Sequence, residues 1–555
     1  MYIIFQAFLS IIRNKRLPPS PPTIPFFGNI FWLLKSSRNF ADLEPVLRSL
    51  RSKYGDLVTI YIGSKPSIFI TSHEAAHRAL VKSGNVFASR PMALETIQIF
   101  FPNQYSVTTS PYGPIWRMLR QNFMQVVQPS RLKSYSICRK CALSEFKKHV
   151  LNDIKVGNKM VPIQDYINYT IYVLLSYMCF GERFDEETIK NIQRVQYNVI
   201  HNFIRFNVLN FVPMLNKIVF RGLWNEVMEI RHNRTCMLLP IIKARHEKIK
   251  ANKVGGESLQ FEAYVDTLFD MKIPECGNML TDEELVSLCS EFILGGTDTT
   301  ATTWLWAMAN IIKCQDIQEK LFDEIKKVVK SEEDIEEEHL KRMPYLEAVV
   351  LETLRRHPPG HFILPRAVIE DTIMDGYVIP KDAIVNFLVA EIGWDPNVWE
   401  DPMEFKPERF LRYGKGEDKF DIKGFREIKM MPFGAGRRIC PAIDMAILHL
   451  KYFVANLMES EGVGGTCDVF VSYHAEQPCF SHLIPKHQFS SSLSLSHSHS
   501  LTHSHPRIHT NLREWKCVDV SLVCCNSFPR LSLHLRSKLR QCLCSSALVM
   551  SISTS

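Results

Sequence analysis

Cys440 closes the run Phe433-Gly434-Ala435-Gly436-Arg437-Arg438-Ile439-Cys440, and Pro441 and an apolar stretch over 442–457 follow it. The pattern predicts a helix that opens at Pro441, where a missing N–H costs nothing. A sulfur at such a helix start, near arginines, is favoured as the thiolate. Gly434 and Gly436 would let the backbone pass close to a flat partner. An electron-rich thiolate beside a flat partner suits axial ligation of haem iron. An inert cysteine at a helix start is the plain alternative. A second candidate is Gly295-Gly296-Thr297-Asp298-Thr299-Thr300. Paired glycines in mid-helix cost about 1 kcal/mol each relative to Ala, so they mark a point that bends, admits a ligand or packs against another helix. Asp298 beside Thr299 supplies an acid and an alcohol for proton relay.

Each of these residues needs an element to hold it. Thr281-Asp282-Glu283-Glu284 is a capping box, and helical character continues to about Lys313, roughly 48 Å. Pro344 opens a helix that Pro358-Pro359 closes, and on it Glu352 and Arg355 stand one turn apart. An exposed pair of this kind contributes little. On a helix apolar on several sides it must be partly buried and needs a further partner, for which Arg409 in Pro407-Glu408-Arg409-Phe410 is a candidate. Trp116 and Arg120 also share a helix face: either an aromatic–cation stack or two donors aimed at a carboxylate. Residues 54–72 read as a β-hairpin turning at Gly63–Pro66, helices dominate 110–360, and strands return over 362–390. The apolar segment 203–224 is either a buried helix pair or a surface dipping into lipid.

Composition sets the frame. The chain has 555 residues, 46% of them hydrophobic and 22% charged, which excludes wholesale disorder, collagen and a coiled-coil rod. Mean hydropathy is −0.07 and no run of about 20 apolar residues occurs, which excludes a polytopic membrane protein. A net charge of +8 over this length does not call for nucleic acid. Residues 1–12 are almost wholly apolar and are followed by Arg13-Asn14-Lys15-Arg16 and a proline-rich hinge at 18–22. That predicts a short hydrophobic anchor over 1–17 with its basic residues on the cytoplasmic side. Unpaired cysteines are in keeping with a cytosolic body.

The four motifs, in this order and over 18–458, resemble the cytochrome P450 superfamily of haem-thiolate monooxygenases. The proline hinge, Phe-Ala-Ser-Arg-Pro at 87–91 and the wording of the cysteine loop are similar to the plant microsomal A-type group. The resemblance implies a mainly α fold with small β-sheets. It implies haem b with Cys440 as proximal iron ligand, its electron donation favouring O–O cleavage. Trp116, Arg120, Arg366 and Arg438 would meet the haem propionates, with Phe433 beside the cofactor. Asp298 and Thr299 would supply protons for the activation of O2. Glu352, Arg355 and Arg409 would form a buried structural triad. The substrate side would be lined by Phe100, Phe101, Phe292, Leu294, Gly295, Phe362 and Leu364. The implied partners are NADPH-cytochrome P450 reductase, which brings electrons from NADPH, an apolar small-molecule substrate of plant secondary metabolism, and the cytoplasmic face of the endoplasmic reticulum membrane.

Two features depart from the family. Ala442 stands where a glycine is usual. Residues 459–555 hold nine of the 19 histidines and seven of the 15 cysteines, with no amphipathic period and no clear strand pair. Where the family continues with a β-hairpin region, this chain reads Ser-His alternation. The cysteine spacings match no zinc pattern, so the expectation is an unstructured tail of unrelated sequence, either a non-native reading frame or a natural extension. A catalytically inactive haem-binding remnant is the alternative function. An oxygen-independent isomerase or dehydratase is disfavoured by the intact Asp298-Thr299.

Overall fold

The computed structural model describes residues 17–24, 28–29, 32, 43–62, 65–156, 163–210, 218–255, 260–330, 333–413 and 419–459. The anchor expected over 1–17 (Leu17 apart), residues 211–217 of the apolar segment, and the tail beyond Glu459 lie outside the described residues.

Alternating β-branched and aromatic residues make β1 (Leu57–Ile62) and β2 (Lys65–Ile70) the antiparallel hairpin the sequence predicts, Leu57 opposite Ile70. β2 then pairs in parallel with β6 (Ile384–Phe387), and β6 pairs antiparallel with β3 (Arg366–Ala367). One sheet face packs Val58, Ile60 and Phe69 on Val46, Leu47 and Leu50 of α1 (Leu43–Tyr54). The other packs Ile68, Ile70, Val385 and Phe387 on the short helical turn around Ala76–Leu80. A second hairpin, β4 (Thr372–Met374) with β5 (Tyr377–Ile379), turns at Asp375-Gly376, both at positive φ as a tight hairpin requires.

The rest is helical. Those of six residues or more are α2 (Glu95–Phe100), α3 (Pro114–Val127), α4 (Ser136–Val156), α5 (Ile163–Phe180), α6 (Glu186–Phe206), α7 (Arg221–Gly255), α8 (Asp282–Lys313), α9 (Gln315–Val328), α10 (Pro344–Arg356) and α11 (Ile443–Glu459), besides α1. The capping box opens α8 as predicted: Thr281 N–H donates to Glu284 at 2.8 Å and Glu284 N–H to Thr281 Oγ1 at 3.4 Å. α8 runs through the middle of the molecule and packs on α5, which is buried along most of its length, and on α11.

The paired glycines do not break α8, which is continuous from Asp282 to Lys313. They divide the labour. A Cβ on Gly296 would lie 2.8 Å from Leu175 Cδ1 of α5, so this glycine permits close helix packing, whereas a Cβ on Gly295 would meet nothing within 4 Å. Gly295 and Thr299, one turn apart, form an exposed strip in mid-helix between half-buried Leu294, Gly296 and Asp298. One correction concerns the cysteine loop. Gly436–Arg438 form a turn of 3-10 helix and α11 begins only at Ile443, so Cys440 and Pro441 precede the helix rather than open it.

Candidate functional site

The cysteine loop is held from both ends. Cys440 N–H donates to Phe433 O at 2.9 Å, and Gly434 N–H to Met431 O at 2.9 Å. Gly434 and Gly436 both adopt positive φ, 68° and 69°. A Cβ at Gly436 would sit 1.9 Å from Leu80 O. The close approach expected of this glycine is therefore to the protein's own backbone. Cys440 is half-buried. Burial pushes its thiol up; the Ala442 N–H and the Arg120 guanidinium pull the other way and do not prevail.

Next to this loop the fold gathers cations. Arg366 on β3 is buried, and its Nε and Nη1 have no acceptor. Burial, then Arg90, Arg438 and Arg120, push its pKa well down. Arg438 donates to Ala88 O (2.7 Å), Val107 O (3.2 Å) and Ser110 O (2.5 Å), and burial with the same neighbours holds it near 8. Arg120 donates to Ile439 O at 2.5 Å. Trp116 gives its indole N–H to Val107 O at 3.1 Å. Its ring stacks under the Arg438 guanidinium at 4.4 Å, so the expected aromatic–cation pair forms with Arg438 rather than Arg120.

Two members of this site were not picked from the sequence. Arg90 donates to Thr108 O (2.6 Å), Leu364 O (2.6 Å) and Pro365 O (2.7 Å), and burial brings it to about 9. Its signal was the lone cation in the 87–91 motif. Glu291 lies on α8 one turn before Gly295. It accepts Val107 N–H at 3.0 Å and Thr108 N–H at 2.7 Å, and also holds the Thr108 hydroxyl. Burial raises its carboxyl despite these donors. It is the one carboxylate acting on Arg90 and Arg438 among the described residues.

The oxygen-side pair stands on α8. Thr299 Oγ1 donates to Gly295 O at 2.9 Å from the exposed strip. Burial alone pushes the Asp298 carboxyl up from 3.8 to about 6.

Glu352, Arg355 and Arg409 meet in the core. Arg355 makes a two-pronged pair with Glu352, Nε at 2.7 Å and Nη2 at 2.8 Å, while Arg409 Nε reaches Glu352 Oε1 at 3.1 Å. The remaining guanidinium donors find carbonyls of Gly393, Pro402 and Glu404 from Arg355, and of Glu400, Asp401 and Glu404 from Arg409. Both guanidiniums lie over the Trp399 ring, at 5.3 and 5.9 Å. The exposed-pair alternative does not hold here.

The substrate-side residues scatter. Phe100 joins an apolar cluster with Val199, Phe206, Leu209, Val227 and Ile230, against which Phe101 and Leu294 pack. Gly295 and Leu364 are exposed. Phe292 instead stacks on Tyr264 at 4.7 Å and joins the main core cluster. Phe362 meets Phe69 of β2 edge-on at 6.5 Å and packs with the α1–sheet cluster.

These residues fit haem. A half-buried sulfur, buried guanidinium donors lacking acceptors and an open strip on the central helix suit a flat macrocycle carrying two carboxylates. No group of three or more His, Cys, Asp or Glu side chains placed to hold a metal ion occurs among the described residues.

The cytochrome P450 family model matches residues 18–460. Cytochrome P450 89A9 of Arabidopsis thaliana is 42% identical over 470 residues, 82% of this chain and 90% of that protein. Tabersonine 16-hydroxylase 1 of Catharanthus roseus is 31% identical, over 80% of this chain and 86% of that one. Among solved structures, a zebra fish cytochrome P450 with progesterone aligns with TM-score 0.62 at 20% identity, covering 75% of this chain and 92% of the other. Retinoic acid-bound cyanobacterial CYP120A1 aligns at 0.60 and 21%, covering 80% and 92%.

Proposed function

The chain belongs to the cytochrome P450 family of haem-thiolate monooxygenases, and from that premise we propose how its own residues divide the work. Haem supplies the activation of O2 for insertion of one oxygen atom into the substrate. Residues 18–458 form the haem domain, and Cys440 is the iron ligand. Arg366, Arg438, Arg120 and Arg90 bind the propionates, and Trp116 braces Arg438 from below. Phe433 fixes the Cys440 N–H through its backbone carbonyl. Asp298, with a carboxyl near 6, holds a transferable proton for part of the time at neutral pH, and the Thr299 hydroxyl on the open strip passes it on. Glu352, Arg355 and Arg409 fix the segment 400–406 by hydrogen bonds to its backbone. Phe100, Phe101, Leu294, Gly295 and Leu364 border the apolar substrate. The reading carries over to an NADPH-dependent reductase as electron donor and to the cytoplasmic face of the endoplasmic reticulum membrane. No helix of the described residues is long and apolar enough to cross a membrane, so attachment falls to the 1–17 segment and exposed apolar residues. The inactive alternative gains no support from the comparisons.

The observation that carries this is the cluster of guanidiniums beside Cys440, with acceptor-less donors on Arg366. A carbon-monoxide difference spectrum of the reduced 555-residue chain tests it. A thiolate-type Soret band is expected, abolished by Cys440→Ser and retained in Cys236→Ser. An unchanged band in Cys440→Ser would refute the assignment.

A further inference from the structure

The guanidiniums beside Cys440 are seated on backbone carbonyls, and two of those carbonyls belong to a stretch that one carboxylate holds from behind. Val107 O accepts Arg438 Nη1 at 3.2 Å and the Trp116 indole N–H at 3.1 Å, and Thr108 O accepts Arg90 Nε at 2.6 Å. On the N–H side, Glu291 Oε2 accepts Val107 at 3.0 Å, and Oε1 accepts Thr108 at 2.7 Å together with the Thr108 hydroxyl. The Val107 carbonyl and the Thr108 N–H are the two ends of one peptide group. Glu291 and Arg438 therefore grip the same plane from opposite ends, and each polarises it in the sense that strengthens the other's bond.

Both carboxylate oxygens accept N–H groups, which favours the ionised form. Burial raises the Glu291 carboxyl, while Thr108, Val107 and the Ser106 hydroxyl pull it back. A carboxylate taken out of water is costly unless charge answers it. The answering charge is close by. Arg90, Arg120 and Arg438 all act on Arg366, so four guanidiniums share this corner, and two propionates would leave two of them in excess. Glu291 acts on Arg90 and Arg438. Its negative charge and its grip on the loop thus bear on the same two cations.

We propose that Glu291 is a positioning residue for the haem: through the Val107–Thr108 peptide it aligns Arg438 and Arg90 for the propionates, and its charge offsets theirs, holding down the reduction potential of the iron. This rests on the haem-thiolate reading and adds to it a residue that sets how readily the iron takes an electron. Glu291 touches neither the iron nor its ligand, and acts only through the loop and the guanidiniums.

The test is a spectroelectrochemical titration of the haem-loaded chain, with resonance Raman spectra of the same samples. Glu291→Gln keeps the shape and removes the charge. At the potential where the parent is half reduced, its ferrous-to-ferric ratio should be at least about threefold higher, about 28 mV at about 59 mV per tenfold. Glu291→Asp keeps the charge and shortens the reach by one methylene. Its ratio should stay within about twofold of the parent, while the haem-propionate bending band moves and haem dissociates at least about threefold faster. Should Glu291→Gln fail to retain haem, the propionate band of Glu291→Asp decides, because a side chain that merely fills the loop would leave it in place. A ratio unmoved in Glu291→Gln, equal rises in both variants, or an unmoved propionate band in Glu291→Asp would overturn the proposal. A parent chain without a thiolate-type carbon-monoxide band would instead bring down the haem-thiolate reading, and this one with it.

Discussion

Glu352 balances two buried guanidiniums, and their other donors reach only backbone carbonyls. Glu352→Ala would leave both cations unpaired in the core and should destabilise the chain by about 3–5 kcal/mol, read by urea denaturation of the haem-loaded protein. Asp298 offers the opposite case, a carboxyl that burial penalises. Unfolded, it ionises at 3.8; folded, near 6. The folded chain therefore binds the extra proton between those values, and stability falls as pH rises from about 4 to 6, then levels. The full cost is about 3 kcal/mol and the realised one smaller, because Asp298 is partly exposed. Asp298→Asn removes it, so the variant's advantage in unfolding free energy should open between pH 4 and 6 and hold above; a gap independent of pH would contradict the cause. Thr299→Ala should keep haem and ligand binding yet divert reducing equivalents into peroxide, measured as the ratio of product formed to NADPH consumed. Product as tightly coupled as in the parent would remove the hydroxyl from proton delivery. At this scale, residue types were legible and their partners were not. Trp116 and Arg120 share a face by spacing, but Arg438 comes from more than 300 residues further along the chain.

Periodicity and caps carry most of what could be read at the scale of elements. The capping box at Thr281, the end of α8 at Lys313 and the first hairpin fall where the pattern puts them, because each depends on neighbours within a few residues. The start of α11 does not. Pro441 suits a first helical position, but Gly436 lies tight against Leu80 O, Gly436–Arg438 form their own 3-10 turn, and α11 starts only at Ile443. The same fact separates two glycines that the sequence treats alike. Gly434→Ala meets only a side chain at 3.6 Å and should cost about 1–2 kcal/mol for its positive φ. Gly436→Ala must also displace the Leu80 carbonyl and should cost clearly more, with faster haem loss at unchanged helix content. Haem dissociation rates alongside far-ultraviolet circular dichroism would show whether the two variants differ. Phe292 illustrates a further limit: spacing sets it near the Thr299 side of α8, but only the tertiary structure shows its ring taken up by Tyr264 and Phe123.

Across the whole molecule, α1 straps the sheet side of the protein. Arg48 pairs with Glu391 at 2.5 Å, Arg51 with Asp395 at 3.1 Å, and Glu44 meets His361 at 2.9 Å, all joining the first sixty residues to 361–395. Ile218 and Val219, just before α7, are exposed. In a chain lacking residues 1–17, Ile218→Asp with Val219→Asp should lower the fraction that floats with phospholipid vesicles; equal flotation would place membrane contact elsewhere. The parallel pairing of β2 with β6 has a consequence during synthesis. Ser67 pairs with Ile384, and a chain made at about 5–20 residues per second needs roughly 15–60 s to supply the second strand after the first. Throughout that interval the β1–β2 hairpin offers a hydrophobic, unpaired edge to its surroundings. Closing a loop of this length also costs roughly 5 kcal/mol of chain entropy before the sheet contributes anything. Newly made chains should therefore need this edge shielded for that whole interval, and stalls or truncations before residue 384 should yield aggregates rather than soluble fragments.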